Sequence, residues 1–227
     1  MRSILKNSKS SKIVAGIAAA ALLGLPLSAC GSNDTASADE SGSSSTPEPV
    51  AQVDDLSGKT TAVQLDAGFV AALESLKLTP GVVGGAELTK EGALVFPISG
   101  GNVTYYEPGS IDPYVQGEIN HEGSGFSLTA GKTTVELTNF SIDPGTSQLF
   151  GDVAVNGKSA VEDAFLFQLD GRTLKPLQSG PGGTAILTGT KVEVSPDAAG
   201  LLNDTFGTDA VKAGLLVGIA TITINTK

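Results

Sequence analysis

The chain has 227 residues and a formal net charge of −10, with one His, one Cys, one Met and no Trp. Such acidity argues against nucleic acid and anionic headgroups as partners, because both favour basic patches. A single His and a single Cys leave Cys/His zinc sites and Ser–His or Cys–His catalytic pairs hard to assemble, and no Trp is present to line a sugar cleft.

The first 29 residues carry four basic residues (Arg2, Lys6, Lys9, Lys12) and no acidic ones, then an apolar run from Ile13 to Leu25. Basic flank, apolar run and small residues at the cut make a secretory signal peptide. The run is shorter than the roughly 20 residues that a membrane span needs. It ends in Leu27-Ser28-Ala29-Cys30, which resembles the Leu-small-small-Cys lipobox of bacterial lipoproteins. The resemblance implies diacylglyceryl transfer to Cys30 and cleavage before it. The chain would then sit at the extracytoplasmic face of the cell membrane, with the membrane as its partner through that lipid. Cleavage removes four of the 14 basic residues and none of the 24 acidic ones, so the net charge moves from −10 to −14. With Cys30 committed to lipid, no cysteine remains for a disulfide, and stability must come from an apolar core.

Residues 30–58 read as a disordered tether. They are rich in Ser, Asp, Glu and Pro and carry six acidic residues and no basic one. Too little apolar surface is present to offset the ordering entropy. A flexible segment of this length spans about 30 Å root-mean-square.

Residues 59–227 read as one β-rich domain. Thr61–Leu65 alternates like a strand, and Asp66 then caps a short helix with Phe69, Leu73 and Leu76 on one face, stopped by Thr79-Pro80-Gly81. The same design recurs 129 residues later, where Val192 and Val194 match Val63 and Leu65, and Ser195-Pro196 opens a second helix with Leu201 and Leu202. Apolar strands follow each unit, at Ala93–Ile98 and Leu216–Ile224. This predicts pseudo-symmetric packing of two terminal βα units.

Between the units lie further strand candidates: Asn102–Tyr106, Val115–Asn120, Gly125–Leu128, Thr133–Ile142, Gln148–Asn156, Ala164–Leu169 and Thr184–Leu187. Turn signals separate most of them, at Ala130-Gly131, Asp143-Pro144-Gly145, Asn156-Gly157 and Asp170-Gly171. Short alternating strands with frequent turns predict a mainly β fold, an antiparallel β-sandwich or partly open barrel with two short helices.

Tyr105, Tyr106, Tyr114 and His121 are the clustered side chains suited to stack on or ligate a small molecule. Tyr105 and Tyr106 are adjacent, so on a strand they face opposite sides and at most one can enter a pocket. A Tyr with a His beside it can hold haem iron. The bland alternative is a strand Tyr with an amphipathic role and a His bonded within a turn. Acidic turn residues (Asp112, Asp143, Asp152, Asp163, Asn203, Asp204, Asp209) lack the spacing of a calcium loop, and no metal site is expected. Glu122 stands two before Ser124, where a nucleophile elbow needs Gly, and Gly180-Pro181-Gly182-Gly183 lacks the Lys-Ser/Thr of a phosphate loop. No catalytic residue is therefore assigned. Glu118 and Glu122 are the carboxylates an envelope hydrolase would use.

Three segments, Phe96–Gly101, Gln116–Gly123 and Leu137–Ile142, resemble the HtaA domain of haem-uptake proteins on actinobacterial cell surfaces. The resemblance implies a mostly β fold and makes His121 the counterpart of the family's pocket histidine. The family's opening segment carries a Trp and an iron-ligating Tyr, and Asp66–Leu78 has neither. Tyr105 or Tyr106 would have to supply the ligand from another strand. The expectation is thus a lipid-anchored envelope module that binds a small molecule or an envelope protein, or serves as a scaffold, without catalysis and without an assigned cofactor. Haem binding of the HtaA type and carboxylate-based hydrolysis are the alternatives.

Overall fold

The structure is a computed structural model that describes residues 47–226. The signal peptide, the lipobox with Cys30 and the first part of the acidic tether lie outside the described residues. In chain order the elements are β1 (Ala51–Val53), β2 (Lys59–Leu65), α1 (Ala67–Ser75), β3 (Thr79–Gly84), β4 (Glu87–Leu88), β5 (Ala93–Pro97) and β6 (Gly100–Tyr105). The long strands β7 (Val115–Ala130), β8 (Thr133–Asp143), β9 (Gln148–Val155) and β10 (Lys158–Asp170) follow. A 3-10 turn (Gly171–Thr173), β11 (Gln178–Gly180), β12 (Thr184–Val194), α2 (Pro196–Phe206) and β13 (Leu216–Asn225) complete them.

All strand pairs are antiparallel, in the order β1-β6-β7-β8-β9-β10-β12-β13-β2-β5-β4, with β11 added on β12 and β3 on the far half of β7. The sheet curls into a half-barrel, which corresponds to the partly open barrel of the two expected architectures. The strands next to its two ends, β5 and β6, are joined by the chain itself, which runs through Ile98 and Ser99. There the Ile98 N–H donates to the Lys59 carbonyl and the Ser99 N–H to the Asn120 carbonyl, at 2.9 and 2.8 Å.

Both helices form for local reasons. The Asp66 side chain accepts from the Gly68 N–H at 2.8 Å, and Ser195 Oγ accepts from the Ala198 N–H at 3.0 Å with Pro196 at the first helical position. Their buried faces, Phe69 and Leu73 from α1 with Ala198 and Leu202 from α2, surround a void of about 30 Å³ together with Phe126 and Phe167 of the sheet. The two helices therefore close one end of the half-barrel. The expected pseudo-symmetry is present in the pairing: β5 lies on β2 as β13 lies on β12, and β13 also pairs with β2, so the two βα units flank it.

Curvature comes from a line of bulges. Register shifts interrupt β7 between His121 and Gly125, β8 between Thr138 and Ser141, and β10 between Val161 and Ala164. Asn139 and Asp163 take left-handed φ of 53° and 52° there. Extra residues in one strand of a pair bend and twist it, which an open sheet needs in order to curl.

Several sequence-based boundaries move. Thr79-Pro80-Gly81 does not stop α1, which ends at Leu76 with Lys77 in the left-handed region; it begins β3, paired with Thr129–Ser127. Val115–Asn120 and Gly125–Leu128 are one strand because the intervening Gly-rich residues form a bulge rather than a turn. Thr184–Leu187 and the stretch holding Val192 and Val194 are likewise one strand, and β10 begins at Lys158, six residues before the expected Ala164. The fold also reaches upstream of Lys59: β1 pairs with β6, and Leu56 is only 2% exposed with its N–H donating to the Gly101 carbonyl. Edge addition of three residues leaves little pattern in a sequence.

Candidate functional site

Alternation along the strands sends one set of side chains into the half-barrel, and these do not fill it. A cavity of about 570 Å³ remains, with walls from β1, β2, β5, β6, β7, β8, β9, β10, β12 and β13. Phe126, Phe140 and Phe167 pack together at centroid distances of 6.1 to 6.4 Å and separate the cavity from the helix-covered end. The opposite end is the mouth, bordered by Tyr105, Tyr114, Asp112, Asp170, Arg172 and Leu174.

Tyr105, at the end of β6, is 8% exposed and turns inward, where its ring meets Tyr114 edge-on at 5.6 Å. Burial, and then Tyr105 beside it, push the Tyr114 hydroxyl above its ordinary pKa. Tyr106 follows the last residue of β6 and does not line the cavity. Strand alternation thus selects Tyr105 over its neighbour, and the Pro108–Pro113 loop returns Tyr114 to the same rim.

His121 is 1% exposed in the wall, where β7 approaches β2. Its Nδ1 lies 3.4 Å from the Phe140 carbonyl and its Nε2 lies 2.8 Å from Thr61 Oγ1. A carbonyl can only accept, so Nδ1 carries the proton and Nε2 accepts from the Thr61 hydroxyl. Desolvation lowers the His121 pKa to about 4, more than the backbone hydrogen bonds raise it, so the ring is neutral at physiological pH. Phe96 covers it edge-on at 6.4 Å.

The four residues singled out from the sequence are therefore only partly brought together. Tyr105, Tyr114 and His121 line one cavity and Tyr106 does not. Tyr105 pairs with Val115, and Val115 stands six residues before His121 on β7, about 20 Å at strand rise. A tyrosinate with His121 hydrogen-bonded to it is not formed, and both ring nitrogens of His121 already have partners. The cavity itself has no sequence signal, since a hollow barrel and a filled one show the same alternation.

Arg172 is a site residue that sequence reasoning missed. It belongs to the Asp170-Gly171 segment, expected as a plain turn. Its Nε and Nη2 each donate to the Asp170 carboxylate at 2.9 Å, and its backbone N–H donates at 3.0 Å. These bonds hold the Asp170 carboxyl down to about 2. The Arg172 side chain is otherwise 89% exposed at the mouth.

Neither Glu118 nor Glu122 lines the cavity; both are exposed, and Glu118 accepts from Ser141 Oγ on the outer face. Among the described residues no group of three His, Cys, Asp or Glu is placed to hold a metal ion. No helix among them is long and apolar enough to cross a membrane.

No family model and no curated protein matches the sequence. The fold is similar to the crystal structure of the C-terminal domain of HtaA from Corynebacterium glutamicum, with a TM-score of 0.51 and 15% identity over 76% of this chain and 97% of that domain. A second similar structure is the haem-binding protein HtaB of the same organism, with a TM-score of 0.48 and 12% identity over 78% of this chain and 96% of that one. The first likeness establishes an HtaA-like half-barrel for this chain, and at such identity it establishes the fold alone.

Proposed function

We propose that this chain is a non-catalytic binding module of the cell envelope, held at the extracytoplasmic face of the membrane by lipid on Cys30, that takes a small apolar molecule into its half-barrel. The cavity of about 570 Å³ carries the reading. Apolar walls with a few polar groups at one end are what small-molecule sites share. The lipobox Leu27–Cys30 supports the anchor. Metabolic labelling with a fatty-acid analogue tests it: label should enter the wild-type chain and be absent from Cys30→Ala. Equal labelling of both would remove the anchor. Binding is tested with an environment-sensitive apolar dye, which should saturate at one per chain and lose affinity in Ala220→Phe, where the added ring projects into the cavity.

Haem is the second reading, supported by the sequence resemblance around His121 and by the HtaA-like fold. The cavity suits the hydrocarbon body of a porphyrin. Tyr105 or Tyr114 would be the iron ligand, without help from His121. Burial and the neighbouring Tyr105 raise the Tyr114 pKa, which disfavours its ionised form. The residues present thus fit the macrocycle better than they fit a tyrosinate–histidine iron centre. Haemin titration decides: we expect no charge-transfer band of a tyrosinate complex. A saturable one-to-one complex with that band, lost in Tyr105→Phe or Tyr114→Phe, would put haem first.

A further inference from the structure

We propose that the occupant of the cavity is one long hydrocarbon chain of a membrane amphiphile, with its polar head left at the rim; this rests on the binding-module reading above and gives its ligand class. Four observations converge on it.

The first is volume. A methylene takes about the space of one water in the liquid, roughly 30 Å³. A cavity of about 570 Å³, open at one end, has room for one long acyl chain.

The second is the distribution of hydrogen-bonding capacity. Deep in the wall the His121 imidazole and the Thr61 hydroxyl satisfy one another, and the remaining His121 nitrogen faces the Phe140 carbonyl. That depth therefore offers a ligand hydrocarbon contact and little else. The polar groups able to meet a head group, Tyr114 and the exposed edge of Arg172, stand toward the other end. A molecule matching this gradient is apolar along its length and polar at one tip.

Shape gives the third. The aromatic cluster of Phe126, Phe140 and Phe167 makes a closed end and the opposite end is open, so a chain enters by its tail.

The fourth is where the chain leading to the lipobox joins the fold. The Val50 N–H donates to the Tyr105 carbonyl at 2.8 Å, and Ala51, Gln52 and Val53 line the cavity. On the anchored reading, the segment that follows Cys30 therefore joins the domain at the mouth. Membrane lipid is then the apolar molecule held at the highest local concentration beside that opening.

The test uses the full chain carrying Cys30→Ser, so that its own acyl groups do not compete. Octanoic, dodecanoic, hexadecanoic, octadecanoic and docosanoic acids displace bound cis-parinaric acid, and haemin and anilinonaphthalene sulfonate are titrated in parallel. Affinity should rise about fourfold per methylene and level off between octadecanoic and docosanoic acid. Ala220→Phe should move the plateau to shorter chains. Should that variant fail to fold, Ala185→Phe, at a half-buried cavity position on β12, should weaken long chains most. Native mass spectrometry should show one amphiphile per chain. Binding of the sulfonate dye or haemin, blocked by Ala220→Phe and without any rise along the acid series, would overturn the acyl-chain assignment and leave the cavity as a binding site. No binding of any ligand by the folded protein would overturn both.

Discussion

Asn139 and Asp152 are hydrogen-bonded across β8 and β9, Asn139 Nδ2 donating to Asp152 Oδ2 at 2.9 Å, and each also holds a backbone N–H of a neighbouring strand. Asn139 Oδ1 accepts from the Gly123 N–H at 2.9 Å, and Asp152 Oδ1 accepts from the Asp163 N–H at 3.1 Å. One polar line thus crosses β7, β8, β9 and β10 at the level where the strands bulge. It satisfies N–H groups that the bulges remove from the ladder, and it stabilises the bend that leaves the half-barrel hollow.

Replacing Asn139 by Ala removes both bonds and places a Cβ-bearing residue at a φ of 53° without the local compensation that Asn supplies. We expect a loss of about 1–3 kcal/mol in urea denaturation. Asn139→Gly, which relieves the backbone conflict but not the lost bonds, should lose less than Asn139→Ala. Equal losses would mean that the backbone conformation contributes nothing.

The N-terminal limit of the domain is open to proteolysis. Leu56 is buried and β1 is paired, so a resistant fragment should begin at or before Val50, not at Lys59. Leu56→Ala should cost about 2–5 kcal/mol, as other buried leucines do. A fragment beginning at Lys59, with a Leu56→Ala loss under about 0.5 kcal/mol, would return the boundary to where composition put it.

Phe69 and Leu202 border the same void from α1 and α2. Each changed to Ala should destabilise the domain by about 2–5 kcal/mol. Because they share that space, the double variant should depart from the sum of the singles by about 0.5 kcal/mol or more. Strict additivity would mean that the helices cover the barrel end independently.

What the sequence disclosed and what it hid follow a physical division. Asp66 and Ser195 declared both helices because a cap acts over three residues and leaves its mark there. The inward turn of Tyr105, and with it the absence of Tyr106 from the cavity lining, follows from strand alternation. The bulge at His121–Gly125 was misread as a break because its glycines look the same in a turn, and the residue that stabilises it, Asn139, lies on another strand. β1 is three residues with no apolar run, held by pairing with a strand some 50 residues away. The separation of Tyr105 from His121 depends on the register of β6 on β7, which local pattern does not encode. Closeness in sequence suggested one site, and the strands hold the two residues apart.

His121 makes stability depend on pH in a direction its environment fixes. Its folded-state pKa is about 4, below the ordinary value of 6.5, because burial disfavours the charged ring. The unfolded chain therefore takes up the proton first as pH falls, and folding stability declines between pH 6.5 and about 4. A shift of this size corresponds to about 3 kcal/mol, fully present above the unfolded pKa and lost as pH falls to the folded one. Thr61, Phe96 and Phe140 surround the ring and none carries a charge, so no neighbour offsets the cost of ionisation. Protonation would also cost Nε2 its role as acceptor for the Thr61 hydroxyl. Urea denaturation of wild type and His121→Gln across this range isolates the effect from the carboxylates, whose contribution is common to both. The difference in stability between the two proteins should shrink by most of that amount on going from pH 7 to about 4. A difference that stays constant would show that His121 is not held neutral in the wall.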